Sequence, residues 1–171
     1  MTIKLIIADC YQKSAIYKKY LGVEFGKNVR ITGKINFGSE PFLISIGNHV
    51  TLAHNVTFHT HDGGIWVFRD EYPEINIYGR ISIGNNVFIG SNVIILPNVT
   101  ISDNVVVGAG SVVTKSLAAN GVYAGNPAKL IRTISDYKEK ALSKAMHIDS
   151  SNMKVASKHI IKANSDNINS N

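Results

Sequence analysis

The sequence predicts an all-β chain: a parallel β-solenoid built on a six-residue repeat, with short helical or irregular ends. Three observations predict it. An aliphatic residue returns at every sixth position at Ile83, Ile89, Ile95, Ile101, Val107 and Val113. A second column of buried type runs alongside at Val87, Val93, Val99, Val105 and Ser111. A third column is Asn86, Asn92, Asn98, Asn104 and Gly110. Asn and Gly accept positive φ most readily, so at one offset they mark a repeated tight turn. Columns that differ in residue type at a fixed six-residue offset mark a repeat rather than an ordinary alternating strand. Six residues suit one short extended segment plus a corner. Three segments close a triangular coil, and coils stacked about 4.8 Å apart hydrogen-bond as parallel strands around an aliphatic stack. The residue after each core aliphatic is mostly small (Gly84, Gly90, Ser102, Gly108), where a larger side chain would crowd the corner.

In chain order, residues 4–21 suit a short helix with Leu5, Ile6, Ala8, Ile16 and Leu21 partly on one face, although the β-branched run also suits a strand. The beat begins at Phe25-Gly26, Ile31-Thr32 and Phe37-Gly38. Glu40-Pro41-Phe42-Leu43 then adds three residues before Ile46-Gly47 restarts the register, which runs to Phe58-His59. The 25 residues from Phe58 to Ile83 are not a multiple of six, so 61–80 reads as an excursion loop. Loops leaving a rigid scaffold are where function is usually placed. After Val113 the beat ends in a turn-like stretch at 118–121, a helix is expected over 134–148, and the Ser-, Asn- and Lys-rich 149–171 reads as a disordered tail. The expected organisation is an N-terminal segment, 1–22, a solenoid domain, 23–133, and a C-terminal helix and tail, 134–171.

At 171 residues and 44% hydrophobic composition, the chain has the length and core of one domain. Its formal charge of +6 is spread along the chain, so a phosphate-bearing small ligand suits it as well as a nucleic acid does. The single Cys10 excludes an intramolecular disulfide framework and a cysteine metal site, and points to a reducing, cytoplasmic setting. The N-terminal apolar run is broken by Asp9 and has no small-residue cleavage site, so no signal peptide is expected. Nothing approaches the roughly 20 apolar residues of a membrane span.

The hexads, an embedded Thr60-His61-Asp62, GAGSVVTK at 108–115 and AGNPAK at 124–129 occur in that order. Together they closely resemble the hexapeptide-repeat acyltransferases over residues 23–134. The likeness is strongest to the maltose and galactoside O-acetyltransferases and to those of capsule, O-antigen and exopolysaccharide pathways. The resemblance implies a left-handed parallel β-helix, although parallel crossovers are otherwise right-handed in about 98% of cases. It also implies a homotrimer with acetyl-CoA in grooves between subunits, acting on a small-molecule or glycan acceptor, with no nucleic acid and no resident metal. His61 falls where such enzymes carry their catalytic histidine. An imidazole can accept the proton of a sugar hydroxyl as its oxygen attacks a thioester. By resemblance, the Gly90-Ser91 segment supplies a backbone donor to the tetrahedral intermediate.

The same resemblance assigns the coenzyme path. Ala109 between Gly108 and Gly110 offers a side-chain-poor edge to the pantetheine arm. Ser91, Thr114 and Lys115 line the path, and Lys129 and Arg132 approach the phosphates. Phe88 stands where many relatives have tryptophan and would keep an aromatic wall beside the thioester. Asp62-Gly63-Gly64 replaces the His-Pro common in relatives, a form closer to the polysaccharide branch. On the acceptor side Trp66 and Arg69, with Phe88, are candidates to stack on and hydrogen-bond a sugar, with a packed loop anchor the stronger reading for Trp66.

Three more histidines, His49, His54 and His59, crowd the region and read as structural or surface residues; their spacing offers no helical pair or carboxylate frame for a metal. Three other functions stay open: N-acetylation of an amino sugar, a non-catalytic solenoid, and a zinc carbonic-anhydrase-like protein.

Overall fold

A computed structural model describes residues 8–146, 155–158 and 160–162. Each hexad folds into a strand of two or three residues and a corner, and three strands make a coil. The first coil holds β1 (Glu24–Phe25), β2 (Arg30–Ile31) and β3 (Ile35–Asn36). The second holds β4 (Ile44–Ile46), β5 (Val50–Leu52) and β6 (Val56–Phe58). The third holds β7 (Ile81–Ile83), β8 (Val87–Ile89) and β9 (Ile94–Ile95), and the fourth β10 (Thr100–Ile101), β11 (Val105–Val107) and β12 (Val112–Val113). Each strand pairs in parallel with its counterpart in the next coil. The three resulting sheets run β1-β4-β7-β10, β2-β5-β8-β11 and β3-β6-β9-β12.

Register explains why both columns are apolar. Ile46 pairs with Ile83 and Ile83 with Ile101, while Leu52 pairs with Ile89 and Ile89 with Val107. Every coil therefore places its aliphatic residue over that of the coil before. Ile83 to Val113 of the first column and Val87 to Ser111 of the second are all buried. Ser111, the polar member, is satisfied: its hydroxyl donates to the Gly108 carbonyl at 2.7 Å and accepts from the Gly125 amide at 3.1 Å.

The corners follow the same logic. Asn86, Asn92, Asn98 and Asn104 have φ of 54°, 59°, 63° and 57°, and Gly110 has 71°. His49 has φ 54° in this column, which accounts for it as a corner residue. The column is also a ladder, because Asn86 donates its amide to Asn104 at 2.8 Å and Asn104 to Asn120 at 3.0 Å. The small positions are sterically required. A Cβ on Gly90 would lie 2.6 Å from the Ala109 amide nitrogen of the next coil.

Both ends of the prism are covered. Helix α1 (Gln12–Leu21) closes the first coil, with the Cys10 carbonyl accepting from the Ile31 amide at 2.7 Å. Its anchor is Tyr17, which meets the Phe37 ring edge-on at 4.8 Å. That departs from the expected apolar face, of which Leu5 and Ile6 lie outside the described residues. An aromatic ring fits here because Phe37 already stacks on Phe58, and the pair presents a flat aromatic end. At the other end β13 (Gly121–Ala124) extends the second sheet, and β14 (Lys129–Thr133) pairs with it antiparallel. Helix α2 (Ile134–Leu142) follows, shorter than the expected 134–148. Residues 155–158 and 160–162 are helical, where composition alone predicts a disordered tail. Among the described residues, no helix is long and apolar enough to cross a membrane.

Candidate active site

Two interruptions of the repeat meet at one corner. Phe37 and Phe58 stack at 5.3 Å at the ends of successive coils, and three residues on from each come Glu40 and His61. In the unbroken third coil, the residue at that offset from Ile95 is Asn98, with φ 63°. Glu40 and His61 thus occupy equivalent sequence offsets in successive coils and meet across them, although Glu40, at φ −117°, lacks the left-handed backbone of Asn98.

His61 Nδ1 lies 2.9 Å from Glu40 Oε2 and 3.2 Å from Ser39 Oγ. Thr60, fully buried, donates its hydroxyl to the same Glu40 oxygen at 2.7 Å. These contacts, the Thr60 hydrogen bond first and that of His61 second, hold the Glu40 carboxyl below the ordinary carboxylate range. An ionised carboxylate on Nδ1 draws the imidazole proton to that nitrogen and leaves the Nε2 lone pair available. The His61 side chain is 42% exposed, against 17% for Glu40, so the base is the more open to solvent of the two and its orienting group the more shielded.

The loop leaves and returns as a short antiparallel ladder. The Gly79 amide donates to the Thr60 carbonyl at 2.8 Å and the Asp62 amide to the Ile77 carbonyl at 3.0 Å, with His61 opposite Tyr78. This ladder fixes the His61 backbone from both sides. Asp62 then caps the 3-10 helix Gly63–Phe68 by accepting from the Gly64 amide at 2.8 Å. The loop's buried anchor is Ile65, whereas Trp66 is 76% exposed. The expectation that Trp66 packs as the anchor is therefore corrected: the helix turns its neighbour inward. Arg69 braces the loop, donating to the Pro73 carbonyl and to Asn76 Oδ1, each at 2.9 Å.

The structure brings some coenzyme candidates to His61 and leaves others apart. Thr114 follows β12 at the same corner and shares with His59 and His61 a cleft of about 470 Å³; Lys115 comes next along the chain. Ser91 and Ala109 follow strands of the second sheet and so occupy a different corner of the coil. The Gly90 amide is already engaged by the Val107 carbonyl at 2.8 Å, which leaves the Ser91 amide as the donor of that pair. Ala109 is exposed beside Gly110, as a side-chain-poor edge requires. Lys129 lies on β14 opposite Ala124, and Arg132 opposite Val122. Phe88 is 43% exposed on the outer face of the second sheet. His54 and His59 are exposed, and among the described residues no group of three or more His, Cys, Asp or Glu is gathered to hold a metal.

Glu40 and Thr60 escaped the sequence reading. The signal was present: Glu40 precedes His61 by the interval that separates Phe37 from Phe58.

A family model described as bacterial transferase hexapeptide (six repeats) matches residues 80–115. Over 127 residues the chain is 51% identical to Protein CapG of Staphylococcus aureus, covering 73% of this chain and 74% of that one. The chain belongs to the hexapeptide-repeat acyltransferases. Among solved structures, it resembles a maltose O-acetyltransferase from Clostridium difficile 630, with 31% identity, a TM-score of 0.52, and coverage of 74% of this chain and 78% of that one. It also resembles a galactoside acetyltransferase in complex with coenzyme A, with 28% identity, a TM-score of 0.52, and coverage of 81% and 76%. The solenoid of this hexapeptide acyltransferase is accordingly the left-handed parallel β-helix.

Proposed function

We propose that this acyltransferase moves an acetyl group from acetyl-CoA to a hydroxyl of a sugar or of a sugar-containing polysaccharide intermediate, with His61 as general base. One observation carries the reading: a partly shielded Glu40, its carboxyl held below the ordinary range, lies 2.9 Å from Nδ1 of a half-exposed imidazole that lines the cleft, which leaves Nε2 to act as the base. His61 takes the acceptor's proton as the hydroxyl oxygen attacks the thioester carbonyl. Glu40 stabilises the imidazolium that forms, and the Ser91 amide donates to the developing oxyanion. His61 then returns the proton to the departing sulfur, leaving an acetyl ester and free coenzyme A. Coenzyme A bound to the galactoside acetyltransferase supports acetyl-CoA as co-substrate.

The placement of the coenzyme candidates on two corners favours a homotrimer. A groove joining the His61 corner of one protomer to the Ser91–Ala109 corner of a neighbour would gather residues that one chain keeps apart. Lys129 and Arg132 would then offer a point charge and a fork to the coenzyme phosphates. The sugar acceptor is supported by the name of the maltose enzyme and by Asp62-Gly63-Gly64. The lone Cys10 suits a reducing, cytoplasmic setting.

The test is acetyl-CoA consumption against a panel of sugars, nucleotide sugars and lipid-linked oligosaccharides, with light scattering for the trimer. His61→Ala should keep the fold and the assembly while slowing transfer by about 10²–10⁴-fold. Full activity in purified His61→Ala refutes the assignment. Lys129→Ala with Arg132→Ala should raise KM for acetyl-CoA well above any change in KM for the acceptor.

A further inference from the structure

We propose that the cleft between His61 and the loop helix is the acceptor subsite, built for one uncharged pyranose ring with its apolar face on Trp66. The inference rests on the acyl-transfer reading of His61 and adds what that base acts upon. The cleft holds about 260 Å³ and is lined by His61 and Glu40 from the solenoid corner and by Trp66, Arg69 and Asn76 from the loop. Pockets for drug-sized ligands run to roughly 300–1,000 Å³. This one admits a single ring at the base, and the rest of a longer glycan or a nucleotide must stay outside.

Trp66 is exposed yet not loose. Its backbone belongs to a helix pinned by buried Ile65 and capped by Asp62, and its carbonyl accepts from the Arg69 amide at 3.1 Å. An exposed indole on a backbone held in place, contributing nothing to the core and lining a cleft with polar groups, is the combination that grips the CH face of a sugar. The polar groups are ordered without a ligand. Arg69 is fixed by Pro73 and Asn76, and Asp62 by the Gly64 amide, so ring hydroxyls meet preset donors and acceptors. Charge selects among rings. Glu40 and Asp62 set two carboxylates against the one guanidinium of Arg69, and a carboxylate-bearing ring would be repelled.

Trp66 is the chain's single tryptophan, so its emission reports this cleft and nothing else. The experiment titrates His61→Ala, without acetyl-CoA, with methyl hexopyranosides, N-acetylhexosamines, glucuronic acid and galacturonic acid. A saturable emission change is expected with at least one neutral ring, with the matching uronic acid binding about tenfold more weakly. In the His61 background, Trp66→Ala should raise the sugar KM about three- to tenfold, while affinity for coenzyme A measured alone stays unchanged. A sugar that the enzyme acetylates but that leaves Trp66 emission unchanged at saturation removes the subsite and leaves acyl transfer standing. So does an unchanged KM in Trp66→Ala, or tighter binding of the uronic acid. Failure of every sugar to accept an acetyl group overturns the sugar reading and this subsite with it.

Discussion

The third and fourth coils and the first and second are made by the same repeat, yet they serve different ends. From Ile81 to Val113 the corners repeat without insertion, and their polar side chains form uncharged or singly charged structural ladders: Asn86 with Asn104, Asn104 with Asn120, and Asn85 with Asp103. In the first two coils the repeat is broken twice at one corner, by the residues after Glu40 and by the loop after His61. There the pair that bridges successive coils is Glu40 with His61. Both pairs bridge successive coils through side chains, but the ladder asparagines 86, 104 and 120 sit at left-handed φ of 54°, 57° and 62° whereas Glu40 has φ −117°, so the insertions change the backbone of the corner as well as its chemistry. A solenoid can thus turn a structural ladder into a reactive one by replacing amides with an acid and a base, while insertions open the corner to a ligand.

The contrast can be broken from the scaffold side first. Ile95 is fully buried in the third coil, pairing with Val113 and lying next to Phe58 in the stack. Ile95→Ala should cost about 2–5 kcal/mol in denaturant unfolding, the range for deleting buried aliphatic carbons. Its acetyl transfer per folded molecule, assayed well below the unfolding temperature, should stay near that of the unaltered chain. His61→Ala should behave in the opposite way. A large activity loss in folded Ile95→Ala would mean that scaffold and site are not separable.

Glu40→Gln sharpens the comparison by making the reactive pair resemble the amide ladder. The neutral amide can still hydrogen-bond Nδ1 but cannot stabilise an imidazolium, so kcat should fall on the order of tenfold to a hundredfold with little change in KM for acetyl-CoA. There is also a pH signature. The folded Glu40 carboxyl sits below its ordinary value, so its contribution to stability is complete above the unfolded carboxylate range and is lost as pH falls through the lowered folded value. Acid unfolding of Glu40→Gln should therefore be shallower than that of the unaltered chain. Equal acid sensitivity would show that Glu40 is not ionised against Thr60 and His61.

Most of the solenoid could be read from the sequence because its columns are one-dimensional: every sixth residue reports burial, and every Asn at one offset reports a positive φ. His61 could be read through its motif. Glu40 was missed because its partner lies one coil away across an insertion that shifts the count, and only the interval it shares with Phe37 and Phe58 points to it. The covering of the ends was hidden for a related reason. Tyr17 finds its place against Phe37, a contact no local period encodes. Trp66 was misread because a lone aromatic in a loop carries no sign of which way a 3-10 helix turns it, and the neighbouring Ile65 took the inward position.

The smallest effect tests the ladder itself. Asn104 has φ 57°, accepts from Asn86 at 2.8 Å and donates to Asn120 at 3.0 Å, all on an exposed edge. Asn104→Ala loses both hydrogen bonds and places a Cβ residue without a polar side chain in the left-handed region, at a combined cost of about 1–2 kcal/mol. Asn104→Gly loses the same bonds but tolerates the backbone, so it should recover part of that cost. Thermal unfolding of the two variants separates the terms. If Gly is no better than Ala, the column is kept for its hydrogen bonds; if Gly equals Asn, the turn alone selects it, and the link between the amide ladder and the Glu40–His61 pair is one of position only.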